Sequence, residues 1–306
     1  MKTIFITGGS GFIGKNLSEL LTRSGYRVLN PSSAELNLFD ETAVDVFMRQ
    51  HPVDIIVHAA NKGGGRDTMG MQDIVHYNLR MFFNIVKHSE SVDKIIHFGS
   101  GAEYGKHKSI VMVEEDDARI ALPHDDYGFY KSICSRYIEK CSSNIYNLRI
   151  FACYGKYEDY RYKFISNTIV KNLLGMPINI RQNVFFDYVY VDDLMKIVLW
   201  AIEFKGDHQV YNITKGEGVE LVTLAGLINE VAETPTEIIV DMPGLNLEYT
   251  ASNRRIREEC PMEFTPHQQA IEKLYAYYKK NIKYLDLNAV RRDFFIDKIR
   301  SLSEDR

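Results

Sequence analysis

Short apolar runs alternate with longer amphipathic stretches through the first half of the chain. Ile4-Phe5-Ile6 is a compact run that ends at glycines, as a buried parallel strand does. From Gly14 to Ser24 the apolar positions Ile13, Leu17, Leu20 and Leu21 fall on one helical face, and Gly25 ends that pattern before a strand at Tyr26–Leu29. Asp40 has the place of an N-cap for a helix to Gln50, with Val44 and Phe47 inward. Val53–His58 is the next apolar strand, a helix covers Ile74–Ser89, and Lys94–Phe98 is a strand that stops at Gly99-Ser100. This alternation predicts right-handed βαβ units and an α/β fold with a doubly wound parallel sheet.

After Lys131 a helix runs to about Lys140, and Tyr146–Phe151 is a further strand. Beyond it the rhythm loosens. A helix near Phe164–Leu174 precedes strands at Pro177–Ile180 and Phe185–Val191, and Asp192 and Asp193 stand as caps of a helix through Trp200. Thr223–Ala232 and Pro266–Asn281 have amphipathic helical spacing, and Asn288–Leu302 sets Val290, Phe294, Phe295 and Ile299 on one face, as in a capping or interface helix. The change of rhythm predicts a dinucleotide-binding Rossmann domain over 1–160 and a smaller mixed α/β lobe over 161–306, from which about 181–215 returns to the first domain. Internal repeats and low-complexity segments are absent.

The first strand runs into Gly8-x-x-Gly11-x-x-Gly14, with Phe12 and Ile13 between the last two glycines. Glycines here let the backbone turn sharply and approach a pyrophosphate, and the helix that follows offers N–H groups to it. A dinucleotide is therefore the expected ligand. An acidic residue at the end of the second strand would read the ribose 2′-hydroxyl of NAD. The chain has Asn30-Pro31-Ser32-Ser33 there and no carboxylate before Glu35. That predicts NADP (NADPH), with Ser32, Ser33 and Lys15 toward the 2′-phosphate; no arginine clamp is evident, so NAD stays open.

Ser100 follows the strand at Lys94–Phe98, and Tyr127-Gly-Phe-Tyr-Lys131 places a phenol and an ammonium on one helix face. Together with the glycine loop these are the parts needed to move a hydride to or from a carbonyl. Tyr127 handles the proton, Lys131 lowers the phenol's pKa and reaches the nicotinamide ribose, and Ser100 hydrogen-bonds the carbonyl oxygen. Lys62-Gly-Gly-Gly-Arg66 lacks phosphate-loop spacing and fits an active-site lid, with Lys62 as a substrate contact.

Composition narrows the classes further. With 45% apolar and 25% charged residues the chain has the balance of a globular enzyme, and a net charge of −4 gives no reason to expect nucleic acid or an anionic membrane as partner. No apolar run is long enough to span a bilayer, and Lys2–Thr7 leads straight into the glycine loop, so the start is expected to be core strand and not a leader. Four cysteines without CxxC pairs predict reduced thiols in a cytoplasmic protein. Nine scattered histidines without ligand spacing predict no metal.

The chain closely resembles the extended short-chain dehydrogenase/reductases, the NAD-dependent epimerase/dehydratase family that acts on nucleotide sugars. The likeness spans nearly the whole chain. It is carried by Thr7–Gly14, His58-Ala-Ala60, Asn78, Phe98–Gly105, Tyr127–Lys131, Leu148–Gly155 and Asp187–Asp193. Glu35-Leu-Asn-Leu38 and Ala59–Gly64 look most similar to the branch of GDP-L-fucose synthase-like nucleotide-sugar 4-ketoreductases. The resemblance implies Asn37 and Leu38 beside the adenine, Ala59 and Ala60 beside the cofactor ribose, Asn78 among the cofactor contacts, and a four-helix homodimer.

Departures from the family pattern carry the finer reading. The epimerising members use a cysteine two residues after the catalytic serine and a histidine; those places hold Ala102 and, in a looser match, Lys163. The dehydratases use an Asp-Glu pair directly after the serine or threonine, where this chain has Gly101 and Ala102, with Glu103 one position late and pointed to the other side. Phe186 stands where many relatives carry a diphosphate-binding arginine, which makes Arg181, Arg254 and Arg255 the replacements to consider. The expected activity is NADPH-dependent reduction of the C4 ketone of a nucleotide-activated (GDP, CDP or dTDP) 4-keto-6-deoxy sugar in glycan (O-antigen or capsule type) biosynthesis. The alternatives are a 4-epimerase holding NAD(P) tightly, a bifunctional epimerase/reductase acting through Lys163, and a non-catalytic dinucleotide sensor.

Overall fold

The structure is a computed structural model that describes residues 1–64, 68, 70–120, 122–141 and 144–292. In chain order the first half runs β1 (Thr3–Thr7), α1 (Phe12–Arg23), β2 (Arg27–Leu29), α2 (Glu41–Gln50), β3 (Ile55–His58), α3 (Ile74–Val86), β4 (Lys94–Ser100), β5 (Ile110–Val113), α4 (Asp126–Cys141) and β6 (Ile145–Ile150). It continues through β7 (Ala152–Tyr154), α5 (Phe164–Leu173), β8 (Ile178–Asn183), β9 (Phe185–Phe186), β10 (Tyr188–Tyr190), α6 (Val191–Glu203) and β11 (Val210–Ile213). The rest is β12 (Val219–Glu220), α7 (Leu221–Val231), β13 (Ile238–Leu245), β14 (Tyr249–Ala251), α8 (Arg254–Glu259), α9 (His267–Asn281) and α10 (Leu287–Arg291).

One six-stranded sheet, in the order β2-β1-β3-β4-β6-β11, pairs in parallel throughout. The chain goes from β1 outward to β2 and then crosses back to β3 on the other side. The strand order therefore reverses between β1 and β3, and a crevice opens beyond their C-terminal ends, the usual place for a ligand in such sheets. Apolar side chains cover both faces: Leu17, Leu21 and Leu194 belong to one core, and Val44, Phe82, Tyr130 and Ile138 to the other. Three small sheets follow, β10-β7, β12-β9-β14-β5 and β13-β8.

The doubly wound parallel sheet matches the expectation from periodicity, with differences at particular places. The helix expected to carry Tyr127 and Lys131 on one face begins at Asp126, so both residues lie in its first turns. The strand expected over Phe185–Val191 breaks at Asp187, whose buried carboxylate accepts the N–H groups of Lys215 (3.0 Å) and Gly216 (3.0 Å) instead of leaving the chain free to run straight. Asp192 and Asp193 do not cap α6: Tyr190 is its N-cap, and Asp193 accepts from the N–H and hydroxyl of Thr265 (2.7 and 2.9 Å). Asp40 does cap α2, its carboxylate accepting the Ala43 N–H at 3.1 Å. Phe294, Phe295 and Ile299 of the expected final helix, and Arg66 of the glycine-rich loop, lie outside the described residues.

Candidate active site

The glycine turn after β1 is shaped by close approach. Gly8 has φ +71, and a Cβ there would press on the Ala60 backbone at 2.8 Å; a Cβ on Gly14 would collide with the Gly8 carbonyl. Ala60 is held by its N–H donating to Thr7 Oγ1 at 3.1 Å, so the loop after β3 packs on the glycine turn. Gly11 is the N-cap of α1 and brings no side-chain cap. The N–H groups of Phe12, Ile13 and Gly14 are thus first-turn donors without an intrahelical acceptor. Such a cradle fits the pyrophosphate of a dinucleotide.

At the end of β2 the structure departs from the sequence expectation. Ser32 and Ser33 are exposed, but Glu35 folds back so that its carboxylate accepts the Ser32 N–H at 2.7 Å, which lowers its pKa. The turn expected to be free of carboxylate therefore carries one. Asn37 Oδ1 accepts the Phe39 N–H at 3.1 Å, and the Leu38 carbonyl accepts from Asn84 Nδ2 at 2.9 Å. Asn78, expected toward the cofactor, is turned to the chain itself: its amide exchanges hydrogen bonds with Lys62 N–H (2.9 Å) and carbonyl (2.8 Å) and donates to Ile74 O (2.8 Å).

Ser100, Tyr127 and Lys131 converge beyond the end of β4. Ser100 ends the strand and N-caps the 3₁₀ turn Gly101–Tyr104, accepting the Ala102 N–H at 3.1 Å. Its hydroxyl lowers the pKa of both the Tyr127 and the Tyr249 phenol, against the larger upward effect of burial on each. The Lys131 ammonium lies 5.9 Å from the Tyr127 ring centre and donates to the Phe98 carbonyl. Only 5% exposed, Lys131 is pulled down to about 8 by burial. Tyr127 is raised above its ordinary value, also by burial, and the bond from Ser100 is what draws it down.

The loop after β3 closes over this group. Gly64 has φ +85, and a Cβ there would run into the Tyr127 ring; Asn61 accepts from the Tyr130 hydroxyl and donates to the Gly63 carbonyl. The Lys62 ammonium sits 3.3 Å above the Tyr77 ring centre.

The other expected residues are dispersed. Ala102 is fully buried. Glu103 is also fully buried, its carboxylate accepting the Ser100 N–H at 3.0 Å and Arg149 Nε at 2.5 Å, so it faces inward. Lys163 is the N-cap residue of α5, within electrostatic reach of Cys153 and Glu158. Arg181 is exposed on β8. Arg254 pairs with Glu114 at 3.5 Å and Arg255 with Asp116 at 2.8 Å. A surface cavity of about 350 Å³ is lined by Met112, Ser252, Asn253, Arg254, Arg257 and Glu258, apart from the trio. Phe186 packs on Tyr188 and Tyr249, with ring centres 5.7 and 5.5 Å away.

Sequence reasoning did not single out Tyr249 or Arg149. Tyr249 is one of 19 tyrosines and sits in a three-residue strand, so no local pattern marks it.

GDP-L-fucose synthase of Azorhizobium caulinodans is 34% identical over 108 residues, a match that spans 34% of either chain. The dTDP-4-dehydro-6-deoxyglucose reductase of Escherichia coli is 27% identical over 258 residues, 72% of this chain and 79% of its own. The crystal structure of UDP-glucose 4-epimerase from Thermotoga maritima, with UDP-glucose, superposes with a TM-score of 0.78 at 22% identity, over 92% of this chain and 99% of that one, which shows a common fold. The model of the NAD dependent epimerase/dehydratase family matches residues 4–214, and the chain belongs to that family.

Proposed function

We propose that this protein is an NADPH-dependent reductase of the C4 ketone of a nucleotide-activated 4-keto-6-deoxy sugar, serving glycan biosynthesis, and that it reduces without epimerising. The observation that carries the reading is a contrast within one turn. Ser100 lies beside Tyr127 and Lys131, whereas Ala102, two residues on, is a wholly buried methyl group that holds no proton. Reduction requires donors at the carbonyl oxygen; epimerisation at the carbons beside the ketone requires a titratable group there as well.

In this reading the bound nicotinamide supplies the hydride. Ser100 and Tyr127 donate to the carbonyl oxygen, where charge grows during reduction, so they stabilise the transition state more than the ground state. The raised pKa of Tyr127 keeps the phenol protonated and able to give its proton to that oxygen. The Lys131 ammonium then stabilises the phenolate. Exposed Ser32, Ser33 and Lys15 support NADPH, and the Glu35 carboxylate beside Ser32 opposes it.

The test is cofactor oxidation by purified protein with 4-keto-6-deoxy sugars carrying GDP, CDP or dTDP, run in deuterated water. Oxidation without solvent deuterium in the ring is expected. Deuterium beside the ketone sinks the claim that epimerisation is lost, and no oxidation with any sugar sinks the reductase reading.

A further inference from the structure

The stretch Gly105–Ser109 brings a cation to the trio from outside. The Ser100 turn ends at Gly105, whose φ is +84, and a Cβ there would meet the His107 ring at 2.8 Å. That ring stacks on His124, 3.8 Å between centres, in the stretch that leads into α4. At its other end the loop enters β5, where Ile110 lies opposite Tyr249 of β14 and Ser109 Oγ accepts the Glu248 N–H at 3.2 Å. Lys106, exposed within this loop, is thereby held over both phenol rings: its ammonium is 5.7 Å from the Tyr127 ring centre and 5.5 Å from that of Tyr249. Both contacts are within the range at which a ring face attracts a cation.

Cofactor and substrate must reach Tyr127 from different sides. The glycine turn follows β1, and Gly64, in the loop after β3, presses on the Tyr127 ring, so the dinucleotide side is that of β1 and β3. Across β4 stands β6, and the Phe151 ring just after it packs on Tyr249, which in turn packs on Phe186, 4.9 and 5.5 Å between centres. Lys106 belongs to this second side. A hexose sets its C1 phosphate across the ring from a C4 ketone, so an ammonium beside Tyr127 is placed for that phosphate when the ketone is at Ser100 and Tyr127. Other cations are engaged elsewhere. Arg254 pairs with Glu114 and Arg255 with Asp116, Lys62 lies on the Tyr77 ring, and Lys131 donates to the Phe98 carbonyl.

We propose that Lys106 is a substrate-binding residue whose ammonium pairs with the phosphate attached to the sugar, the charge that Phe186 does not supply. The proposal rests on the reductase reading, which puts the ketone at Ser100 and Tyr127, and it gives the loop after the Ser100 turn a part in selecting a diphosphate over a monophosphate.

The experiment is isothermal titration calorimetry on the full chain loaded with NADPH. The probes are GDP, CDP, dTDP and UDP, each beside its monophosphate, and a nucleotide-linked uronic acid. Wild type, Lys106→Met and Lys106→Arg are compared, with melting temperature for each, and KM on any keto sugar that wild type reduces. For the diphosphate that wild type binds, Lys106→Met is expected to lose roughly 10- to 100-fold in affinity. Its monophosphate affinity and melting temperature are expected to stay as in wild type, KM to rise with the lost affinity, and Lys106→Arg to regain most of it. A diphosphate affinity in Lys106→Met within about twofold of wild type overturns the proposal. So does an equal loss for the monophosphate, or a wild type that binds none of the diphosphates. A loss confined to the uronic acid overturns it as well and assigns Lys106 to a carboxylate on the sugar. If wild type binds a diphosphate but reduces none of the sugars, the reductase reading falls and the calorimetry still decides the phosphate contact.

Discussion

Arg149 and Glu103 form a buried ion pair directly beneath the Ser100 turn, Nε to Oε2 at 2.5 Å, with both side chains at most 2% exposed. The same carboxylate accepts the Ser100 N–H, and the guanidinium also donates to the Tyr104 hydroxyl (3.2 Å), the Glu115 carbonyl (2.7 Å) and the Ser135 hydroxyl (2.8 Å). Gly99 leaves room for this network, since a Cβ there would meet the Glu103 and Asn147 side chains. The position of Ser100 is thus fixed by a pair of buried charges.

Glu103→Gln removes one charge of that pair and leaves the other buried. Breaking a buried pair costs roughly 3–5 kcal/mol, so the urea midpoint is expected to drop strongly and turnover to fall with it. A midpoint equal to wild type would show that the guanidinium finds compensation elsewhere.

Gly64→Ala places a methyl group against the Tyr127 ring at a left-handed backbone position, φ +85. Gly25→Ala is the control: its φ is +82, and nothing lies within 4 Å of the added carbon. Both variants incur backbone strain of about 1–2 kcal/mol, but only Gly64→Ala is expected to lower kcat, by about tenfold or more. Equal kcat in the two variants would remove the loop from the catalytic geometry.

Lys131 sets a pH limit. Its ammonium is held at about 8 against an ordinary 10.5, so the lysine is charged below that pH and neutral above it. In free enzyme kcat/KM is expected to decline as pH rises through about 8. Stability moves the other way. The folded state releases this proton earlier than the unfolded one, so between about 8 and 10.5 the group makes folding more favourable with rising pH. Lys131→Met should be far less active and lack that rise in melting temperature; a wild-type profile flat to pH 10 contradicts the assignment.

Glu35 bears on the choice of cofactor. With its carboxylate on the Ser32 N–H, it repels a 2′-phosphate. Glu35→Gln is expected to shift the NADPH-to-NADH preference several-fold toward NADPH, more strongly at low ionic strength. An unchanged ratio at low salt would place the 2′ position elsewhere.

The parallel sheet, the glycine turn and the order of Ser100, Tyr127 and Lys131 were legible along the chain. These follow from patterns that are local. Burial on both faces of a strand appears as an apolar run, Gly8 and Gly14 are required by contacts within a few residues of chain and the loop beside them, and a phenol and an ammonium four positions apart share a helix face whatever surrounds them. Relationships between segments distant in sequence emerged only on folding. Glu103 was expected on the far side of its turn and is there, but its partner Arg149 comes from the next strand of the sheet. Asn78, expected among the cofactor contacts, holds the loop after β3 through the Lys62 backbone, a pairing that no local pattern shows. Glu35 is three residues from Ser32 in sequence, yet its effect depends on a turn that folds the carboxylate back. The Tyr249 hydroxyl reaches the turn after Ser100 at Gly101 from a strand nearly 150 positions later, brought there by pairing among β5, β9 and β14. Hydrogen bonding and burial are properties of that assembled neighbourhood, and so the protonation of Tyr127, Lys131 and Tyr249 is set by packing that no single stretch of chain contains.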